Sequence, residues 1–342
     1  MNHTIISLFV LVTVISAVPA GETPLRVCAT VPDLAVLVSA VGGDQVTVTA
    51  FAKGAEDPHF IEARPSFVRA LADADLFIQT GLELEIGWAP VLLKNARNER
   101  VLPGAPGFLE AASVITPLEV PSGVVDRSLG DVHPGGNPHF LIDPVCGLKV
   151  AEAIRAKLAE LRPAAASVFA QRYRDFAKLI GERLFGVELA GKYDPSKLVL
   201  LVERGALMPF LIAQHDELKL AGWLGQVRPF ADRKVVADHA VWPYFARTFA
   251  FQVVGYLEPK PGIPPTTRHL QELITQMRQQ GVGVILTTPF FEPKHARVVA
   301  EQTTARIAAM AHQVGALSGT EDYLAFVDHN VQALVQAYQG SK

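Results

Sequence analysis

The chain has 342 residues, enough for about two domains. Lys and Arg number 31 against 34 Asp and Glu, a net charge of −3 with neutral histidines, which excludes a nucleic-acid binder that relies on a basic stripe to neutralise phosphates. Hydrophobic residues make up 49% and charged residues 19%, so large cores can form and a disordered chain is excluded. Two cysteines supply neither a disulfide scaffold nor a four-thiolate zinc site. Ten histidines remain as the unusual resource.

Residues 1–20 hold the apolar run Ile5 to Val18 and end in Val18-Pro19-Ala20, the length and small-residue exit of a cleaved signal peptide. The run is too short for the roughly 20 residues of a membrane-spanning helix, so the mature protein is expected to be exported, soluble and periplasmic. Arg26 and Val27 before Cys28 argue against a lipidated cysteine. Short β-branched runs then alternate with amphipathic stretches, the pattern of parallel sheets covered by helices. Strands are predicted at Arg26–Val31, Gln45–Ala52 and Leu76–Thr80, and helices at Asp33–Val41, Ser66–Ala74 and Leu84–Arg97. Residues 102–138, rich in Pro and Gly, read as mostly loop.

From Val145 to about Tyr193 the pattern is helical, broken at Leu161-Arg162-Pro163. The second piece, about Pro163 to Ala190, repeats apolar residues at spacings of three and four and would be about 40 Å long. Beyond it strands are predicted at Leu198–Val202, Lys234–Ala237, Gln252–Leu257, Val282–Thr287 and Arg306–Met310, with helices at Pro243–Ala250, Thr267–Gln280 and Lys294–Thr304. The expected architecture is α/β, with two Rossmann-like parallel-sheet lobes joined by a single long helix. The divisions are 1–20 signal peptide, 21–162 first lobe, 163–193 linking helix and 194–342 second lobe. No sequence repeat relates the lobes, so any likeness between them would be one of fold.

Ligands of open α/β sheets bind beyond the carboxyl ends of the strands. Three histidines fall in such loops: His59 in Glu56-Asp57-Pro58-His59-Phe60, His139 in Asn137-Pro138-His139-Phe140, and His239 in Asp238-His239-Ala240-Val241-Trp242-Pro243-Tyr244. A cleft between the lobes could unite them. Three imidazoles and a fourth group form a common tetrahedral zinc site, and the proline before His59 and before His139 stiffens each loop.

The segments Glu56 to His59, Gly136 to Pro144 and His239 to Ala246, with Gly255 to Pro265, resemble the metal-binding solute receptors of ATP-driven transporters, the zinc and manganese class. The resemblance extends over nearly the whole mature chain. It implies one metal between the lobes, held by His59, His139 and His239. Relatives often add an Asp or Glu near the end of the second lobe, where this chain reads Met310-Ala311-His312-Gln313-Val314-Gly315, leaving water or His312 for the fourth position. Manganese prefers oxygen ligands, so a histidine trio favours zinc over Mn2+. The long His- and Asp-rich loop of many zinc members is absent from the sequence.

His133 is the best candidate for an auxiliary ligand or a loop contact, whereas His215, His269, His295 and His329 read as solvated helix residues. Asp57 and Asp238 are candidate acceptors for the imidazoles, Asp143 a cap for the following helix, and Trp242, Tyr244 and Phe245 packing that steadies the ligand loop. Cys28 and Cys146 are expected as two buried free thiols. The function implied is a non-enzymatic receptor, expected to be a monomer, that hands zinc to a membrane permease of a metal ABC transporter, with a periplasmic metallochaperone as a further candidate partner. Its rivals are a manganese or iron receptor, a zinc hydrolase, and an adhesion protein on the same scaffold. A hydrolase would need a general base, and neither His-Glu-x-x-His nor a nucleophile elbow occurs.

Overall fold

The computed structural model describes residues 23–123, 132–260 and 262–341; the leader expected over residues 1–20 lies outside them. Strands β1 (Leu25–Ala29), β2 (Val46–Ala50), β3 (Leu76–Gln79) and β4 (Phe108–Glu110) form a parallel sheet of order β2-β1-β3-β4. Strands β5 (Lys234–Ala237), β6 (Gln252–Tyr256), β7 (Val284–Thr287) and β8 (Arg306–Ala309) form a second, of order β6-β5-β7-β8. The two sheets thus share one topology without sharing a sequence repeat. Parallel sheets need both faces covered, and the helices supply the cover.

In chain order these are α1 (Pro32–Gly42), α2 (Pro65–Ala72), α3 (Ala89–Ala96), α4 (Pro144–Leu161), α5 (Ala166–Phe185), α6 (Val187–Lys192), α7 (Pro195–Glu203), α8 (Leu207–Ala213), α9 (Gly222–Val227), α10 (Pro243–Phe249), α11 (Thr267–Gln280), α12 (Pro293–Thr303) and α13 (Tyr323–Gly340). Many of these helices, α1, α2, α4, α7, α10 and α12 among them, begin on a proline, whose missing N–H and fixed φ suit the first helical position. Among the described residues no helix is long and apolar enough to cross a membrane.

Four expectations are corrected. The run Leu198–Val202 is not a strand and lies inside α7: Asp194 accepts from the Ser196 N–H at 2.9 Å and Pro195 opens the helix. That capped start outweighs the β-branched content, and Leu200 is exposed where a central strand would bury it. The expected single helix from about Pro163 to Ala190 is shorter: α5 has 20 residues, and Gly186, at φ 87°, separates it from α6. The loop reading of 102–138 missed β4, whose three residues are too few to show a period. Likewise the helix expected from Leu84 begins at Ala89, after turns in which Leu82 and Glu83 take positive φ.

Helix α5 packs on α1 and α4 of the first lobe and on α7 and α9 of the second. Buried polar contacts close the seam between the lobes. Gln313 Nε2 donates to the carbonyls of Lys53, Gly54 and Glu56 at 2.9, 3.1 and 2.8 Å, and the Val314 N–H donates to Asp33 at 3.2 Å. Gly54 lies so close to the Gly315 backbone that a Cβ would collide with it. Cys28 and Cys146 are both buried and unpaired.

Gly147 on α4 marks a second close approach. A Cβ there would overlap the Tyr323 hydroxyl, which donates to the Leu141 carbonyl at 2.8 Å. Gly147→Ala is expected to lower stability by about 1–3 kcal/mol through overpacking, read as a reduced urea midpoint, and Tyr323→Phe in the same chain is expected to recover part of the loss.

Candidate metal centre

His59 follows β2, His139 precedes α4, and His239 follows β5. The structure brings all three together between the lobes. Ring centroids lie 5.2 Å apart for His59 and His139, 5.9 Å for His139 and His239, and 6.2 Å for His59 and His239. A fourth imidazole joins them: His133 stacks on His59 at 5.3 Å, with the two Nε2 atoms 3.2 Å apart. Among the described residues no group of three or more His, Cys, Asp or Glu stands in finished metal-holding geometry; the rings are neighbours whose nitrogens still have to converge.

Each ligand loop is fixed by its own side chains. Asp57 accepts from the His59 N–H at 3.0 Å, Asn137 from the His139 N–H at 2.9 Å, and Asp238 from the His239 N–H at 2.8 Å. The first two reach two residues on and are Asx-type bonds, which favour turns, whereas Asp238 bonds the residue next to it. The Trp88 indole donates to the Pro58 carbonyl at 3.0 Å. Tyr244 Oη donates to the Asn137 carbonyl at 2.8 Å, and Asn137 Nδ2 donates to the Ala240 carbonyl at 2.6 Å, tying the His139 and His239 loops to one another across the seam.

Carboxylates orient two of the rings. Asp57 Oδ1 lies 2.7 Å from His59 Nδ1, and Glu258 Oε2 lies 2.6 Å from His239 Nδ1, so each Nε2 is the nitrogen left to face the cleft. Sequence reasoning anticipated Asp57 and proposed Asp238 for His239. The structure gives that role to Glu258, nineteen residues on, while Asp238 instead fixes backbone and bonds the Thr288 hydroxyl at 3.0 Å. Glu258 follows the strand beside β5, an adjacency set by strand order.

Burial decides the protonation states. It holds His139 well below the usual imidazole value, aided by the neighbouring imidazoles, and pushes His133 and His312 down to about 4. Burial opposes ionisation of Asp57, yet the His59 hydrogen bond and charge hold its carboxyl below the usual range. At neutral pH these three imidazoles are uncharged, the form that ligates metals.

His312 is buried beside Phe290, with ring centroids 4.5 Å apart. Its Nε2 lies 3.1 Å from the Glu56 carbonyl, and its Nδ1 has no partner. His269 and His329 bond the carbonyls of Tyr256 and Ala309, and His215 sits in a turn at φ 56°, so all three lie apart from the cluster.

Two parallel α/β lobes meeting over clustered imidazoles define a substrate-binding protein of the metal ABC-transporter class. More narrowly, the chain belongs to the family of ZnuA, the zinc-uptake complex component A, periplasmic, which matches residues 27–182 and 223–337. It is 22% identical over 298 residues to the manganese-binding lipoprotein MntA of Halalkalibacterium halodurans, covering 86% of this chain and 82% of that protein. It is also 22% identical over 291 residues to the zinc-binding protein TroA of Treponema pallidum, covering 82% and 78%. A crystal structure of ZnuA superposes with a TM-score of 0.65 at 20% identity, covering 93% of this chain and 99% of that one.

His312 gives a direct test of these protonation states. Unfolded histidine takes up a proton below about pH 6.5, whereas folded His312 resists to about 4. Its contribution to stability is therefore complete above pH 6.5 and is lost as pH falls toward 4. Asp33 and Asp238, pushed up by burial to about 7, act in the opposite sense, so the comparison must be with a variant. Between pH 7.5 and 5 the wild type is expected to lose about 2 kcal/mol more stability than His312→Gln, measured by urea unfolding of metal-free protein.

Proposed function

We propose that the protein is an extracytoplasmic receptor that captures Zn2+ with His59, His139 and His239 and delivers it to the membrane permease of an ABC transporter. The observation that carries this reading is the pair of carboxylate–imidazole contacts, Asp57 to His59 and Glu258 to His239, at 2.7 and 2.6 Å. They fix tautomer and ring orientation, raise ligand basicity, and leave Nε2 for the metal. Neutral nitrogen donors suit zinc, whereas manganese favours carboxylate and water oxygen. A manganese receptor is the second reading, since relatives named for each metal match this chain. A hydrolase is disfavoured because the carboxylates beside the trio are already engaged, Asp57 and Glu258 with ligand imidazoles and Glu119 with Asn137 Nδ2 at 2.9 Å, and are poorly placed to act as a general base.

Calorimetric titration of the mature protein with Zn2+ and Mn2+ tests the proposal. Zinc is expected to bind in a 1:1 ratio and to displace manganese. His59→Ala, His139→Ala and His239→Ala should each abolish tight zinc binding, and full zinc affinity in all three would overturn the site.

A separate expectation concerns the oriented rings. Asp57→Asn and Glu258→Gln should each weaken zinc binding about 10- to 100-fold with little change in the metal-free melting temperature. Unaltered affinity in both would show that the carboxylates do not act through the imidazoles.

A further inference from the structure

Three protein ligands leave a fourth position on a tetrahedral ion, and two additional imidazoles lie near the trio. We propose that His133 is the fourth ligand, which makes the centre a four-imidazole site. The inference rests on the three-histidine reading above.

Geometry is the first argument. Zinc–nitrogen bonds of about 2.0–2.1 Å place tetrahedral ligand atoms roughly 3.3–3.4 Å apart. The Nε2 atoms of His59 and His133 are separated by 3.2 Å, already close to one edge of that tetrahedron. His133 also lines, with His139, His239, Glu119, Asn137 and Ala240, a cavity of 180 Å3 at the cluster.

Electron pairing is the second. His59 Nδ1 is engaged with Asp57, so the neutral ring presents a lone pair at Nε2. A second ring nitrogen held 3.2 Å away needs something electron-poor between the two. Without metal, that is the proton His133 donates. With metal, it is the ion itself, and a tautomer shift that places this proton on His133 Nδ1 frees the Nε2 lone pair while the ring stays neutral. The His133 ring is held near parallel to His59, at an interplanar angle of 24°.

His312 is the competing imidazole, with a buried Nδ1 that has no partner, but its other contacts point away from the trio. Its Nε2 is engaged by the Glu56 carbonyl, and its ring meets Phe290 edge-on at 71°. Ring contacts within the cluster join His133, His59, His139 and His239. Four neutral nitrogens bring no charge of their own to a divalent ion, and the Asp57 and Glu258 carboxylates balance it from one bond further out. Such a donor set discriminates against manganese more strongly than three imidazoles and a water.

Co2+ is the probe, because its visible absorption is strong in four-coordinate nitrogen sites and weak when water raises the coordination number. Wild type, His133→Ala, His133→Asp, His312→Ala and His59→Ala are titrated with Co2+ and then displaced with Zn2+, after circular dichroism confirms that the metal-free variants are folded. His133→Ala is expected to bind with weakened, shifted absorption and on the order of tenfold or more lower zinc affinity, an effect at least comparable to loss of an outer-shell partner. His133→Asp should narrow the ratio of zinc to manganese affinity, and His312→Ala should match the wild type. A wild-type spectrum and affinity in His133→Ala, or their loss in His312→Ala alone, would overturn the proposal. Retention of zinc by His59→Ala would instead strike at the three-histidine reading, so the two failures are distinguishable.

Discussion

Each of the three cleft histidines is anchored through its peptide N–H, and His59 and His239 are anchored through the ring as well. One side-chain oxygen, from Asp57, Asn137 or Asp238, takes up the amide hydrogen of His59, His139 or His239. The bond converts a strand-exit loop into a turn of fixed direction, so the Cα–Cβ vector is set independently of any ligand. Everything else at the site depends on that anchoring. The carboxylates can orient a ring only if its backbone is in place, and imidazoles from separate loops can meet only if each points inward. Rigid placement of this kind lowers the entropy lost when an ion is bound.

The anchored loops belong to different lobes, so the lobes must be held in register. Gln313 does this on one side, where its amide satisfies three carbonyls of the loop that leads to Asp57 and His59. On the other side Asp143, buried and pushed up to about 6 by that burial, caps α4 through the Val145 N–H at 3.0 Å and accepts from the Thr248 hydroxyl at 3.0 Å across the seam. A single carboxyl thereby ends the His139 loop, starts a helix and joins the second lobe. Such buried bonds are costly to leave unmade, so separation of the lobes would be opposed by all of them.

Much of the fold was legible because the signals were local. Thr267–Gln280 has a capping threonine and a clear apolar period, and its helix falls as expected, with Thr266 Oγ1 accepting from the His269 N–H at 3.2 Å. Proline at the first helical position marked Pro32, Pro65 and Pro293 within a residue of the expected starts. Leu198–Val202 misled because its composition suits a strand while its cap, four residues upstream, dictates a helix. At the site, the three strand-exit histidines could be found by position, whereas Glu258 could not, since its contact with His239 depends on which strands are adjacent. His133 was visible as a near neighbour of His139 in sequence, but its stacking on His59 joins loops 74 residues apart.

The loops that hold these histidines run toward the starts of α2, α4 and α10. Helix N-termini present unpaired amide hydrogens and a positive end of the helix dipole, an environment that by default attracts phosphate or carboxylate. A cation would be repelled there. Asp57, Asp143 and Asp238 stand in those same loops, where they consume donor hydrogens and, when ionised, offset the dipoles, and Glu258 reaches His239 from the loop after β6. Reversing the charge preference of an anion-binding scaffold thus takes a handful of acidic groups at helix starts, which is compatible with a chain whose net charge is only −3.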